Sequence, residues 1–215
     1  MHKVLTLSLH CVMIFMAFPA WGARPFNTDD ARIVDSGHCQ LETFTKSQRT
    51  YSGSEFWFLP ACNPWGAELT LGWNRIESET KGVAQAKFLW KPLETNGIGF
   101  ASSFGMFGDD PFVNGISSLS FLDDRSVIHV NLGVLQDRSA DKSRLTGGLG
   151  LEQLLFAPRL YGILEVFGQT GDKATLHTGL RLWIVPNRVQ VDATYGTQQG
   201  SPSRRFTTVG LRLLF

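Results

Sequence analysis

Arg205-Phe206-Thr207-Thr208-Val209-Gly210-Leu211-Arg212-Leu213-Leu214-Phe215 is the stretch whose alternation decides the fold. Thr207, Val209, Leu211, Leu213 and Phe215 share one face at period 2, while Phe206, Thr208, Gly210, Arg212 and Leu214 share the other. One face is apolar to its end. The other carries an arginine in mid-strand, which the dry core of a soluble sandwich rejects and the polar interior of a transmembrane barrel accepts. Two folds fit the stretch alone: an amphipathic edge strand of a soluble all-β domain, or the closing strand of a membrane barrel.

The other end of the chain favours the barrel. Lys3 precedes an apolar run from Val4 to Phe18 that ends in the small residues Ala20 and Gly22. This predicts a secretory signal peptide over residues 1–22, cleaved after Gly22. The run is interrupted by His10 and is short for a bilayer span. Beyond it, no stretch reaches the apolar length of a transmembrane helix, so a membrane protein made from this chain has to be a closed β-barrel. A terminal strand ending in an aromatic residue is also the signal that assembly machinery reads in outer-membrane barrels of Gram-negative bacteria. Val209, Leu211, Leu213 and Phe215 supply it here. The expected surroundings are the bacterial cell outer membrane, its lipids and that barrel-assembly machinery.

Composition agrees. With 215 residues the chain makes one domain, its net charge is +1, and Gly 22, Phe 16 and Trp 6 make it rich in turn formers and aromatics. A mean hydropathy of -0.04 is compatible with insertion, because barrel strands dilute outward apolar residues with inward polar ones. No basic cluster points to nucleic acid. Cys11 leaves with the signal peptide, so Cys39 and Cys62 remain in an oxidising compartment and are expected to bridge.

Residues 23–38 are polar and aperiodic, and read as an N-terminal periplasmic arm or plug. Its adjacent Asp29 and Asp30 lack the ligand spacing of a calcium loop and read as a solvated turn. From Cys39 to Phe215, period-2 segments recur between Gly, Pro, Asn, Asp and Ser clusters. The expected strands are Cys39–Lys46, Glu55–Leu59, Ala67–Asn74, Val83–Lys91, Gly97–Met106, Val113–Leu122, Ser126–Leu135, Arg144–Gln153, Leu160–Gln169, Thr175–Ile184, Arg188–Gly196 and Arg205–Phe215. They define an all-β, antiparallel, up-and-down transmembrane β-barrel of about 12 strands.

Tight connections at 123–125, 157–159 and 185–187 alternate with longer polar ones at 107–112, 136–143, 170–174 and 197–204, as in a barrel whose short turns face the periplasm. The same parity sets Cys39 and Cys62 at one rim, within reach of a disulfide.

Alternation then sorts the faces. Leu69, Leu71 and Trp73 face lipid and Glu68, Thr70 and Asn74 face inward. On the fifth strand Gly97, Gly99, Ala101, Ser103 and Gly105 form an inward stripe that leaves room. A lipid-facing Arg or Lys at the bilayer midplane costs about 2 to 4 kcal/mol, so charge confined to one face predicts a polar lumen. The lumen-lining candidates are Glu68, Lys87, His129, Asn131, Glu152, Glu165, His177, Arg181, Asp192 and Arg212. Arg181, Asp192 and Arg212 lie on consecutive strands and are expected to form an ion-pair network, with Asp192 and Arg212 paired across the last hairpin. His129 and Asn131 lie two apart on one inward face, but no serine accompanies them on that strand, so no catalytic residue is assigned. His129 and His177 lack metal-ligand spacing, and neither a metal nor a cofactor is expected.

Arg24-Pro25-Phe26-Asn27-Thr28-Asp29-Asp30-Ala31 followed by Cys39-Gln40-Leu41-Glu42 resembles the mature start of a family of proteobacterial outer-membrane proteins. Gly179-Leu180-Arg181-Leu182-Trp183, Val185-Pro186-Asn187-Arg188, Asp192-Ala193-Thr194-Tyr195-Gly196 and Val209-Gly210-Leu211-Arg212-Leu213-Leu214-Phe215 resemble that family's end. Its members are assigned to a meta-pathway (MetA-pathway) of phenol degradation and described as transporter-like β-barrel proteins. The resemblance implies an outer-membrane barrel that passes small, aromatic molecules. The expectation is a narrow passive channel or transporter for small aromatic or hydrophobic molecules, not an enzyme. The alternatives are a structural or assembly barrel with a filled lumen, and an outer-membrane lipid hydrolase.

Overall fold

The computed structural model describes residues 26–48, 54–156 and 158–215; the signal-peptide reading and the first residues of the arm lie outside these. Twelve strands follow one another: β1 (Cys39–Gln48), β2 (Ser54–Cys62), β3 (Ala67–Ile76), β4 (Glu79–Lys91), β5 (Ile98–Phe107), β6 (Asp110–Phe121), β7 (Ser126–Asp137), β8 (Lys142–Phe156), β9 (Leu160–Gln169), β10 (Thr175–Val185), β11 (Val189–Gln198) and β12 (Ser201–Leu214). Each pairs antiparallel with its sequence neighbours, and β1 pairs with β12 to close the barrel. The seam runs from Gln40 opposite Leu214 to Gln48 opposite Phe206. Beyond it, Cys39 and Phe215 exchange backbone hydrogen bonds of 2.7 and 2.9 Å. The closure leaves neither β1 nor β12 as a free edge, which the hydrocarbon of a bilayer demands.

The outer surface is what a bilayer requires. Leu71, Leu132, Leu149, Leu164, Leu180 and Val209 stand exposed on it, with Trp73, Trp90, Phe156, Tyr195 and Phe215 toward the strand ends. That is an apolar band bounded by aromatic residues. The even strand number brings the starts of β1 and β3 and the end of β12 to one rim, called the terminal rim below; the other is the distal rim.

Two differences from the sequence reading have local causes. The second strand, expected over Glu55–Leu59, runs on through Pro60 although proline gives up a ladder donor. It continues to Cys62, and its pairing with β3 lapses at Leu59 and Pro60 and resumes at Ala61 opposite Thr70. Gly72 makes this possible, since a Cβ there would stand 2.2 Å from the Phe58 carbonyl oxygen. The expected alternation of long and short connections is absent. The ladders run on through polar residues, so that only residues 77–78, 108–109 and 199–200 join three of the distal hairpins, while the longest described turn, 92–97, is at the terminal rim.

Cys39 and Cys62 lie opposite each other in the β1–β2 register and are joined by a disulfide, with Cα atoms 4.0 Å apart. Sequence placed Cys62 in a turn; the longer β2 puts it in the ladder. The bridge stands at the root of the arm, where Asn63 accepts the Gly37 N–H at 2.7 Å and donates its own N–H to the His38 carbonyl at 3.0 Å.

Candidate functional site

The lumen is the candidate site, and it holds a segment of the chain itself. Residues 26–38 form neither helix nor strand, and Phe26, Thr28, Asp30, Ala31 and Val34 are buried inside the barrel. Their hydrogen bonds account for how the segment is held. The amides of Asn27 and Thr28 both donate to the Glu165 carboxylate on β9, at 2.8 Å each to its nearer oxygen, and Thr28 Oγ1 adds a bond of 2.8 Å. The Asp29 amide donates to Asn131 Oδ1 at 2.6 Å, and Asn131 Nδ2 returns a bond to the Asp29 carbonyl at 2.9 Å. The Ala31 amide donates to Ser118 Oγ at 2.8 Å, and the Val34 amide to Glu68 Oε2 at 2.8 Å. Asn63 Nδ2 donates to the Val34 carbonyl at 2.6 Å. Backbone that runs through a lumen has no ladder to join, so the wall supplies its partners from side chains.

Charge and shape fix the segment in register. Lys87 on β4 is buried, and its Nζ lies 2.7 Å from Asp29 Oδ1 and 3.5 Å from Asp30 Oδ1. The two aspartates are therefore not a solvated turn, since an inward lysine needs a counter-charge once water is gone. On β8, a Cβ at Gly148 would stand 2.6 Å from Thr28 Oγ1 and one at Gly150 would stand 2.3 Å from Phe26 Cζ. These two glycines form the recess that the arm occupies. Opposite, Ala31 packs on Ala101 of the predicted small-residue stripe and on Ile116.

The remaining candidates hold the wall. Arg181 on β10 reaches Asp192 Oδ2 on β11 at 2.8 Å with one nitrogen and makes a close contact to Glu152 on β8 with another. Arg212 bonds Gln40 Oε1 at 2.7 Å and lies 3.4 Å from Glu42 Oε1. The expected Arg212–Asp192 pair does not match the register, in which Asp192 stands opposite Gly210 and Arg212 opposite Gln190. His177 is fixed at both nitrogens, by Glu165 at 2.5 Å and Thr194 Oγ1 at 2.6 Å. The outward set of β12 also falls where the alternation put it, with Val209, Leu211 and Phe215 exposed and Leu213 half-buried.

The sequence offers His129 no serine on its own face of β7. The structure provides one from the neighbouring strand, Ser118, whose Oγ lies 2.8 Å from His129 Nδ1. His129 Nε2 lies 3.8 Å from Glu152, too far for a hydrogen bond, and Ser118 is fully buried beneath the Ala31 amide. Ser118, Asn63, Gly148 and Gly150 were all missed. For the glycines a signal existed, because Gly147-Gly148-Leu149-Gly150 inside a strand marks close approach of another group.

Either side of the arm the lumen differs. Toward the terminal rim a cavity of about 360 Å³ is bordered by Tyr161, Trp183, Gln190, Arg181, Arg212 and Arg32 of the arm, among others. Toward the distal rim Phe44, Trp57 and Phe107 are buried in a stack with ring centroids 5.4 and 5.5 Å apart, joined by Leu59. Asn74, fully buried and in register with Trp57, has a side-chain amide with no hydrogen-bond partner among the described residues. Among the described residues no cluster of His, Cys, Asp and Glu could hold a metal ion.

Comparison with known proteins places this lumen in context. The family model described as Uncharacterised conserved protein UCP029691 matches residues 11–215. A search of curated proteins finds no match. Among solved structures, the KdgM porin in complex with disordered oligogalacturonate is 11% identical with a TM-score of 0.63, over 82% of this chain and 99% of that one. The NanC porin is 9% identical with a TM-score of 0.57, over 81% and 98%. Acinetobacter baumannii Omp33 is 8% identical with a TM-score of 0.52, over 83% and 98%. The fold shared with these porins and the apolar outer band place the chain in a bacterial outer membrane.

Proposed function

The chain belongs to the family described as Uncharacterised conserved protein UCP029691, and from that premise and the geometry of its lumen we propose that it is an outer-membrane channel for small solutes, closed midway by its own N-terminal arm. The observation that carries this reading is what fills the lumen. A barrel that serves only as a scaffold packs its interior with wall side chains. Here the wall retreats at Gly148 and Gly150, and a strandless segment occupies the space on hydrogen bonds and ion pairs that water can replace. Transport is passive, with solutes exchanging water for side-chain contacts along the bore. The terminal rim lies in the periplasm, and assembly machinery reads Val209, Leu211, Leu213 and Phe215 there.

The solutes favoured are small, aromatic and singly polar, in line with the resemblance to barrels of phenol degradation. The stack of Phe44, Trp57 and Phe107 offers ring faces, and the Asn74 amide beside it offers a hydrogen bond. An acidic sugar chain such as the oligogalacturonate of the KdgM complex suits this lumen poorly, because Arg181 and Arg212 are already engaged by acids of the wall. Lipid hydrolysis is disfavoured for the same kind of reason, since Ser118 and His129 face the lumen under the arm and away from lipid.

Liposome swelling tests the reading. Proteoliposomes of the chain lacking residues 23–36 should swell faster in an aromatic solute that lipid itself does not admit, such as benzenesulfonate, than in a disaccharide, and full-length chain should admit both slowly. Equal, negligible swelling by both proteins would favour the filled scaffold instead.

A further inference from the structure

We propose that the lumen wall is a peptide-binding site for short acidic oligopeptides, of which the arm is the resident occupant. The wall recognises the arm chiefly as peptide. Six consecutive amides, Asn27 to Arg32, are all donated: four to wall side chains and two, those of Asp30 and Arg32, to the arm's own Asp29 and Asp30 carboxylates. Asn131 and Asn63 return bonds to two of its carbonyls. Asn131 does both at once, accepting the amide and donating to the carbonyl of the same residue, Asp29. Pairing of this kind is specific to a peptide unit and independent of side chain.

Sequence preference then comes from few points. Lys87 asks for a carboxylate at one or both of two adjacent positions, and Glu165 for a small hydroxyl residue before them. Gly150 leaves room for an aromatic ring two residues before that hydroxyl. An aromatic residue, a spacer, Thr and an acidic pair therefore define the ligand. With the arm withdrawn, Glu165, Asn131, Ser118, Glu68, Asn63 and Lys87 would face an empty groove at fixed spacing, preorganised for another peptide of this pattern. The occupant proposed is an acidic segment of another chain that carries this pattern and takes the arm's place, the arm holding the groove in its absence.

The proposal rests on the arm's geometry and not on conduction, so the two readings can fail separately. Calorimetric titration would use the chain lacking residues 23–36 in detergent, its barrel checked by heat-modifiable gel migration. Two decapeptides serve as probes: Phe26 to Asp35 of this chain, and one of otherwise different sequence that keeps only Phe-x-Thr-Asp-Asp. Both should bind one per barrel. Each should lose at least about tenfold in affinity when the two Asp are replaced by Asn, and again with Lys87→Met in the wall, while full-length chain, whose own arm competes for the groove, should bind both more weakly than the chain lacking it. Absence of binding to a heat-modifiable barrel would overturn the proposal, as would affinity indifferent to Asp→Asn and Lys87→Met. Binding of the first decapeptide without the second would restrict the groove to its own arm and overturn it equally. Should removal of the arm prevent barrel formation, proteolysis decides: in full-length chain, soluble Phe26 to Asp35 peptide should speed cleavage of the arm by competing for its place, and an unchanged rate would count against the proposal.

Discussion

Glu165 is buried, with donors on every side: two arm amides, the Thr28 hydroxyl, the Asn27 side chain at 3.2 Å and His177. A carboxylate removed from water is tolerable only with such a set, and each hydrogen bond to a charged group contributes about 1.5–3 kcal/mol. Glu165→Gln keeps the shape but removes the charge and turns one acceptor into a donor. The arm's hold should weaken by about 1.5–3 kcal/mol, which hydrogen exchange would register as roughly tenfold or more faster exchange of the Asn27 and Thr28 amides. Exchange at the unaltered rate would show that Glu165 does not anchor the arm. That Glu165 faces inward was legible in the sequence, since the alternative set a carboxylate in lipid. What it binds was not. Alternation specifies the face of a strand, whereas a partner across a lumen depends on register and on segments without periodicity. The pairing expected between Arg212 and Asp192 missed for the same reason, because the hairpin register sets Gly210 against Asp192.

At the scale of elements, β8 and the turns carry what strand pattern alone does not express. All twelve strands were readable because polar lumen and apolar lipid impose period 2 on each. The ends of several were not, because backbone ladders persist into polar residues where side-chain pattern has faded. Gly148 and Gly150 make β8 the floor of the arm's seat. Gly150→Val should displace Phe26 while leaving β8 paired, and limited proteolysis should then cleave the arm in a barrel that still shows heat-modifiable migration. Protection of the arm equal to that of the parent chain would contradict the seat. The turn after β6 makes a pH prediction. Leu122, Asp123 and Asp124 all have left-handed φ, of 55, 55 and 62°. Asp124 is held by Ser120 and by Thr95 at 2.6 Å, while Asp123 exchanges two bonds with Asn96 across to the neighbouring turn. Hydrogen bonds from Ser120 first, then Thr95, push the Asp124 carboxyl below the usual aspartate value. A depressed carboxylate stabilises its turn above the unfolded-state pKa and loses that contribution as pH falls through the folded one. Protection of this turn's amides from exchange, relative to their intrinsic rate at each pH, should therefore fall on acidification below about pH 4, and in Asp124→Asn that fall should be absent.

The molecule as a whole is a sealed cylinder with three successive lumen layers: an open chamber at the terminal rim, the arm at mid-height and an aromatic stack toward the distal rim. The disulfide of Cys39 with Cys62 anchors the arm's root to the wall, so that the segment beyond it is the part free to leave. The lumen's polarity and the Cys39–Cys62 pairing could be read from the sequence by counting strands and facing them. That residues 23–38 form an arm or a plug could be read too, but not which of the two nor what seats it, since residues 26–38 carry no period and their two aspartates resemble any solvated turn. The central claim is that the arm is what closes the bore. Single-channel recording in planar bilayers tests it most directly: the full chain should give small or no current steps, and the chain lacking residues 23–36 should give discrete steps of clearly higher conductance. Identical conductance from the two proteins would contradict the account.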